Sequence, residues 1–198
     1  MVNRRSTNGR RRLSVQERLE QLVDVGVDLI ATKSWDTLTM ADIAATAGVS
    51  KPLLYHYFST KHDLYLAAVN SAAKDLRRAT RPKAGIARDE QVSRSLAAHV
   101  DWVEANGLAY RVVMSGGAHG DPRVRAIVER SRAEVFDRVA GHFDIDEPSP
   151  AVRIALRGWI GFLEAACLDW LRHKDISKAE LVRLLAASLP SALAAADI

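Results

Sequence analysis

The sequence predicts an all-α protein of about nine helices. Apolar residues recur at the three-and-four spacing of a helix face in one segment after another, and no stretch alternates as strands do. Ser or Thr followed three residues later by Glu or Asp, the signature of a helix start, marks the chain from Ser14 to Ser177. The composition agrees. With 48% hydrophobic and 26% charged residues over 198 positions, the chain can build a sizeable core and is not globally disordered.

Residues 1–12 carry Arg4, Arg5, Arg10, Arg11 and Arg12 and no acid. The chain's net charge is +4, so these five arginines leave −1 for everything after them. Such an arm is expected to be disordered by itself and suits a phosphate-rich polymer, with a merely solvated tail as the alternative. Leu19, Leu22, Val23, Gly26, Val27 and Ile30 then form one stripe, opened by the Ser14–Glu17 capping box and closed near Lys33. Trp35 and Leu38 anchor a short connection. A second helix starts at Thr39 with Asp42 three residues on, and Gly48 stops it. Ser50 caps a third, whose first turn tolerates Pro52 because its missing N–H has no partner there. Thr60 and Asp63 open a fourth, from about Lys61 to Arg77, before a basic loop that reaches Gly85.

Five more helices are expected. They span about Asp89 to Asn106, Leu108 to Met114, Asp121 to Gly141 and Ser149 to His173, with the last opening on Ser177 and Glu180. This divides the chain into the basic arm (1–12), a compact head (13–63) and a larger helical domain (64–198), with helix 61–77 linking the two.

The segment from Thr39 to Lys61 has the spacing of a helix-turn-helix, in which the second helix of the pair enters the major groove of DNA. Ala44 supplies the small residue at the crossing and Gly48 a turn with φ > 0. Ile43, Ala47, Val49, Leu54 and Phe58 take the buried positions. That leaves Ser50, Lys51, Leu53, Tyr55, His56 and Tyr57 for DNA, with Lys61 at the start of the next helix. Lysine ammonium, hydroxyls and helix N-terminal amides bind phosphate, and the Pro52–Leu53 surface suits thymine methyls. Packing is the alternative for Tyr55 and Tyr57, and plain solvation for His56.

Ile43-Ala44, Ala47-Gly48-Val49-Ser50, Leu54-Tyr55-His56-Tyr57-Phe58 and Lys61 together resemble the N-terminal signature of the TetR/AcrR family of bacterial transcriptional regulators. The resemblance covers residues 14–65. It implies DNA contacts by Thr39, Ser50, Lys51, Tyr55, His56, Tyr57 and Lys61, and a C-terminal domain that binds a ligand and dimerises. Pro52 departs from the small residue that many members carry, which leaves the base it faces open.

Beyond the head, the last two helices are apolar on more than one side and carry Ala155, Gly158, Gly161, Ala165 and Ala166. A two-fold four-helix interface with a second copy accounts for both features, and burial within one subunit is the alternative. Trp102, Tyr110, Met114, Phe136, Trp159, Phe162 and Cys167 are candidate walls of a ligand pocket, with His99 and Glu164 as polar anchors. Each of them also fits as plain core.

Several chemistries lack support. A single cysteine, Cys167, excludes an intrachain disulfide and any multi-thiolate metal site and fits a reducing compartment. The histidines lack short ligand spacing, and phosphate-loop and hydrolase-elbow patterns are missing, so neither metal, cofactor nor catalysis is expected. Glu164, Asp169, Arg183 and Pro190 interrupt the apolar stretches, and no apolar run follows the basic N-terminus. No membrane span or secretion signal is therefore expected, and the cytoplasm is the expected compartment. The function expected is a dimeric repressor on a palindromic operator, released by a small molecule. A non-specific architectural DNA binder and a helical enzyme are the rivals.

Overall fold

The computed structural model describes residues 13–33, 35–82, 85, 87–114 and 121–196. The arginine arm and the glycine-rich segment 115–120 lie outside them. Among the described residues the chain is all helical: α1 (Val15–Thr32), α2 (Met40–Ala47), α3 (Lys51–Tyr57), α4 (Lys61–Ala79) and α5 (Arg88–Ala105) come first. Then follow α6 (Gly107–Met114), α7 (Pro122–His142), α8 (Pro150–His173) and α9 (Lys178–Ala194). A 3-10 turn at Trp35–Thr37 joins α1 to α2.

The helix starts follow the caps in the sequence. Ser14, Thr39, Thr60 and Ser177 each accept a hydrogen bond from the backbone N–H three residues on, while the acid there accepts one in return. One boundary differs by more than a residue. α4 runs past Arg77 to Ala79, because Arg77 is not loop but pairs with Glu134 of α7 at 2.9 Å.

Three apolar clusters hold the molecule together. Leu22, Ile43, Leu54, Phe58 and Leu64 form the core of the head, drawing on α1 to α4. α1 and α4 meet closely at Gly26, where a Cβ would lie 3.2 Å from the Ala68 Cβ, so only glycine fits without displacement. Ile30, Tyr65, Val69, Val113, Val124 and Val128 then fasten α1 and α4 to α6 and α7. The third cluster joins α5, α6, α8 and α9 around Val100, Tyr110, Leu156, Trp159, Leu185 and Leu189. Trp159 also donates its indole N–H to Ser188 Oγ at 3.0 Å, tying α8 to α9. None of the described helices is long and apolar enough to cross a membrane.

Candidate nucleic-acid interface and its linked cavity

Gly48 ends α2 in the left-handed region at φ 65°, and its N–H reaches the carbonyls of Ala44 and Ala45. This closes the turn in the space of Gly48-Val49-Ser50, and Ser50 Oγ then accepts from Leu53 N–H to start α3. Ala44 is buried at the crossing. Ile43, Ala47, Leu54 and Phe58 are buried with it, and Val49 is half-buried.

The outward face of α3 follows from its period. Ser50, Lys51, Pro52, Tyr55 and His56 are exposed, while Leu53 and Tyr57 turn partly inward. Tyr55 is 44% exposed, and the Lys51 ammonium stands 5.9 Å from its ring centroid. Tyr57 packs against the head core and meets the His56 ring edge-on at 5.4 Å. Thr39 is exposed just ahead of α2, but its hydroxyl donates to Asp42 Oδ2 at 2.6 Å. That bond and the Thr39 backbone N–H hold the Asp42 carboxyl below its usual range, so a negative charge sits at the start of α2.

Within the chain, Lys61 meets backbone carbonyls. Its Nζ donates to the carbonyls of Trp35 at 3.0 Å, Asp36 at 3.2 Å and Leu38 at 2.8 Å. All three ammonium protons are thereby engaged in closing the turn that precedes α2. Arg4, Arg5, Arg10, Arg11 and Arg12 lie outside the described residues.

A cavity of about 500 Å³ lies between α5, α7 and α8, at the end of α4. Its walls are helix faces: Val92, Leu96 and His99 from α5, Val135, Arg138 and Val139 from α7, and Trp159 and Leu163 from α8. Arg138 Nη1 donates to the Thr80 carbonyl at 2.8 Å and to its Oγ1 at 3.0 Å. His99 is buried beside Tyr110, with Nε2 3.4 Å from the phenol oxygen. Burial, and secondarily Arg138, lowers the pKa of its imidazole to about 4, so the ring is neutral at physiological pH.

Of the nine sequence candidates for a pocket, the cavity gathers His99 and Trp159. Tyr110 and Cys167 are buried in the third cluster, where burial pushes the phenol far above its ordinary range and the thiol up to about 12. Trp102, Met114 and Phe136 are half-buried against the same cluster. Phe162 is 40% exposed, away from the cavity. Glu164 accepts a bidentate pair from Arg132 Nε and Nη2 at 2.9 and 2.7 Å.

The sequence reading missed Arg138, Gln91, Ser95 and Thr80 in the cavity wall. The signal was present as spacing. Arg88, Gln91, Val92, Ser95, Leu96 and His99 lie on one face of α5, and Val135, Arg138, Val139 and His142 on one face of α7. A helix face that carries polar residues yet turns inward needs something polar to meet.

Comparisons with known proteins agree with this geometry. A family model described as "Bacterial regulatory proteins, tetR family" matches residues 22–68. A second, "Tetracyclin repressor-like, C-terminal domain", matches residues 88–190. A tetR-family transcriptional regulator from Streptomyces coelicolor superposes with a TM-score of 0.85 at 31% identity, covering 93% of this chain and 83% of that one. The transcriptional regulator BetI of Stenotrophomonas maltophilia is 28% identical over 160 residues, 78% of this chain and 80% of its own length. The transcriptional activator FasR of Mycolicibacterium smegmatis is 29% identical over 130 residues, 65% of this chain. That match spans 59% of FasR, less than two thirds of its length.

Proposed function

Because the chain belongs to the TetR family of bacterial regulatory proteins, a family of regulators rather than enzymes, we propose that it controls transcription as a ligand-responsive homodimer. Each subunit lays α3 in a major groove of a palindromic operator. The observation that carries this reading is the outward face of Ser50, Lys51, Pro52, Tyr55 and His56 on a helix held by the Gly48 turn. Tyr55 and His56 present ring edges and hydrogen-bonding groups to bases and backbone, and Lys51 presents its charge to phosphate. Lys61 supports the same surface from behind by fixing the turn before α2.

The dimer forms through α8 and α9. Ile154 is 64% exposed, Phe162 40% and Leu184 50%. Gly158 and Gly161 share that face of α8, and a Cβ at either would touch nothing within the subunit. Two exposed glycines among apolar residues are explained by the close approach of a second backbone.

A small molecule in the cavity releases the operator. α4 is the mechanical link: it begins directly after α3 at the Thr60–Asp63 cap and ends at Thr80, held by Arg138 in the cavity wall. Its 19 residues span about 28 Å. At its front end, His62 pairs with Asp121 at the cap of α7. A ligand that displaces the cavity end of α4 changes the separation of the two heads, and a coupling of about 1–3 kcal/mol cuts operator affinity roughly 5–150-fold.

Repression follows from a dimer that occupies its operator and excludes polymerase. The activator name of one relative marks the opposite sign as the alternative, which transcription in vitro from an operator-bearing promoter decides. The cytoplasm is the compartment where such an operator lies. The reading as a whole is tested by selecting bound duplexes from a random pool with the full-length protein. A palindrome is expected, with half-sites about 34–36 Å apart or a multiple of that. Bound duplexes with no common sequence favour the architectural binder and overturn the proposal.

A further inference from the structure

Resting on the ligand-binding reading above, we propose that the cavity takes an amphipathic organic anion, with an apolar body between α5, α7 and α8 and a carboxylate-class head on Arg138. Its volume of about 500 Å³ falls within the roughly 300–1,000 Å³ of small-molecule sites, large enough for a ligand of two fused rings or a medium alkyl chain. Val92, Leu96, Val135, Val139 and Leu163 make the body of the site apolar, so the ligand must bring apolar surface.

The head follows from electrostatics. Arg138 is half-buried, and its hydrogen bonds run through Nη1 alone, to the neutral carbonyl and hydroxyl of Thr80. Among the described residues Nε and Nη2 bond nothing, and Arg138 has no carboxylate in ion-pair contact. Those two nitrogens form the fork edge that matches a carboxylate with two parallel N–H···O bonds. The neighbouring charges make the deficit larger. Arg77 and Arg81 both repel Arg138, and the one carboxylate among the described residues that acts on it, Glu134, is already paired with Arg77 at 2.9 Å. Among the described residues, Arg77, Arg81 and Arg138 thus share one carboxylate, and of the three it is Arg138 that lines the cavity. Arg88 does not correct this, since it is neutralised by Asp144 at 2.8 Å. A partly buried cation without a counter-charge is unfavourable, and an anionic ligand removes that penalty on binding.

His99 sets the selectivity of the other end. A neutral imidazole in the wall accepts or donates a hydrogen bond without adding charge, and with Arg88 paired to Asp144, Arg138 is the charged lining residue without an ion-pair partner among the described residues. The site therefore suits one anionic group on an apolar frame rather than a polyanion. The anion also has a route to the head. Arg138 holds the residue that caps α4 through Nη1, so a carboxylate that draws the guanidinium towards itself by the Nε–Nη2 edge weakens that hold and loosens the helix on which α3 depends.

Two dyes of the same frame test this with the full-length protein: 8-anilinonaphthalene-1-sulfonate, whose sulfonate stands in for the carboxylate, and the uncharged N-phenyl-1-naphthylamine. Fluorescence titration should show the anionic dye binding about tenfold or more tightly, the size expected of one charge-assisted pair. Arg138→Gln should abolish that preference while leaving the uncharged dye within about twofold, Arg138→Lys should retain most of it, and Val139→Trp, which fills the cavity, should remove both dyes. Circular dichroism confirms that each variant is folded. If both dyes bind equally and Arg138→Gln changes neither, the anionic head is overturned while the cavity stands. If neither dye binds, or Val139→Trp leaves both bound, the cavity itself fails as a ligand site and the inference falls with it.

Discussion

The ammonium of Lys61 donates to the carbonyl of Trp35, 26 residues earlier, at 3.0 Å and stands 6.0 Å from the centroid of its indole ring. With Asp36 and Leu38 also bound, this side chain at the start of α4 ties down the turn that aims α2 and α3. Lys61→Met should lower thermal stability by the cost of stranded carbonyls, about 1–3 kcal/mol. The slope of log affinity against log salt should change by much less than the value of about one expected for a lost phosphate contact. Calorimetry and binding isotherms at several salt concentrations check both. A slope reduced by a full unit with unchanged melting would make Lys61 a phosphate ligand instead.

Tyr55 and Tyr57 are neighbours on α3 with opposite orientations. Tyr55→Ala should weaken operator binding by about 1–3 kcal/mol with little change in melting temperature. Tyr57→Ala should lower the melting temperature, because its ring packs against the core of the head. Parallel melting curves and gel-shift titrations separate the two effects, and equal melting losses would refute the assignment.

Much of this was legible in the sequence, and the reason is locality. Caps such as Ser14–Glu17 and Thr60–Asp63 span three residues, and the α2–Gly48–α3 turn spans a dozen, so the pattern determines the geometry. What was hidden depends on distant partners. Lys61 meets carbonyls 23 to 26 residues away, and nothing in its own neighbourhood announces them. The cavity draws its walls from α5, α7 and α8. Aromatics make up most of the candidates for it, and of these Trp159 lines it while Tyr110 fills space rather than bounding it. A void forms where valine, leucine and a half-buried arginine leave room.

His99 makes stability depend on pH. Its folded-state pKa of about 4 lies below the ordinary value of 6.5, so the unfolded chain binds the proton more readily. The contribution is intact above about pH 6.5 and is lost as pH falls towards 4, amounting to roughly 3 kcal/mol across that window. Denaturant unfolding of the wild type and of His99→Gln should show the wild type losing more stability between pH 7 and 4. Parallel curves for the two would contradict a buried neutral ring.

The exposed face of α8 and α9 should behave as an interface. Phe162→Glu combined with Leu184→Glu is expected to give a folded monomer, since both side chains are about half exposed and make no core contact that the fold needs. Sedimentation velocity reads the mass, and circular dichroism the helix content. A double variant that remains dimeric places the interface elsewhere.

The central claim, a dimer reading two half-sites through α3, is tested most directly by one competition measurement at fixed salt. The selected palindrome, the same duplex with one half-site scrambled, and random duplex are compared for affinity. The palindrome should bind at least about 10³-fold more tightly than random DNA, and scrambling one half should remove most of that advantage. Equal affinity for all three duplexes would contradict the account.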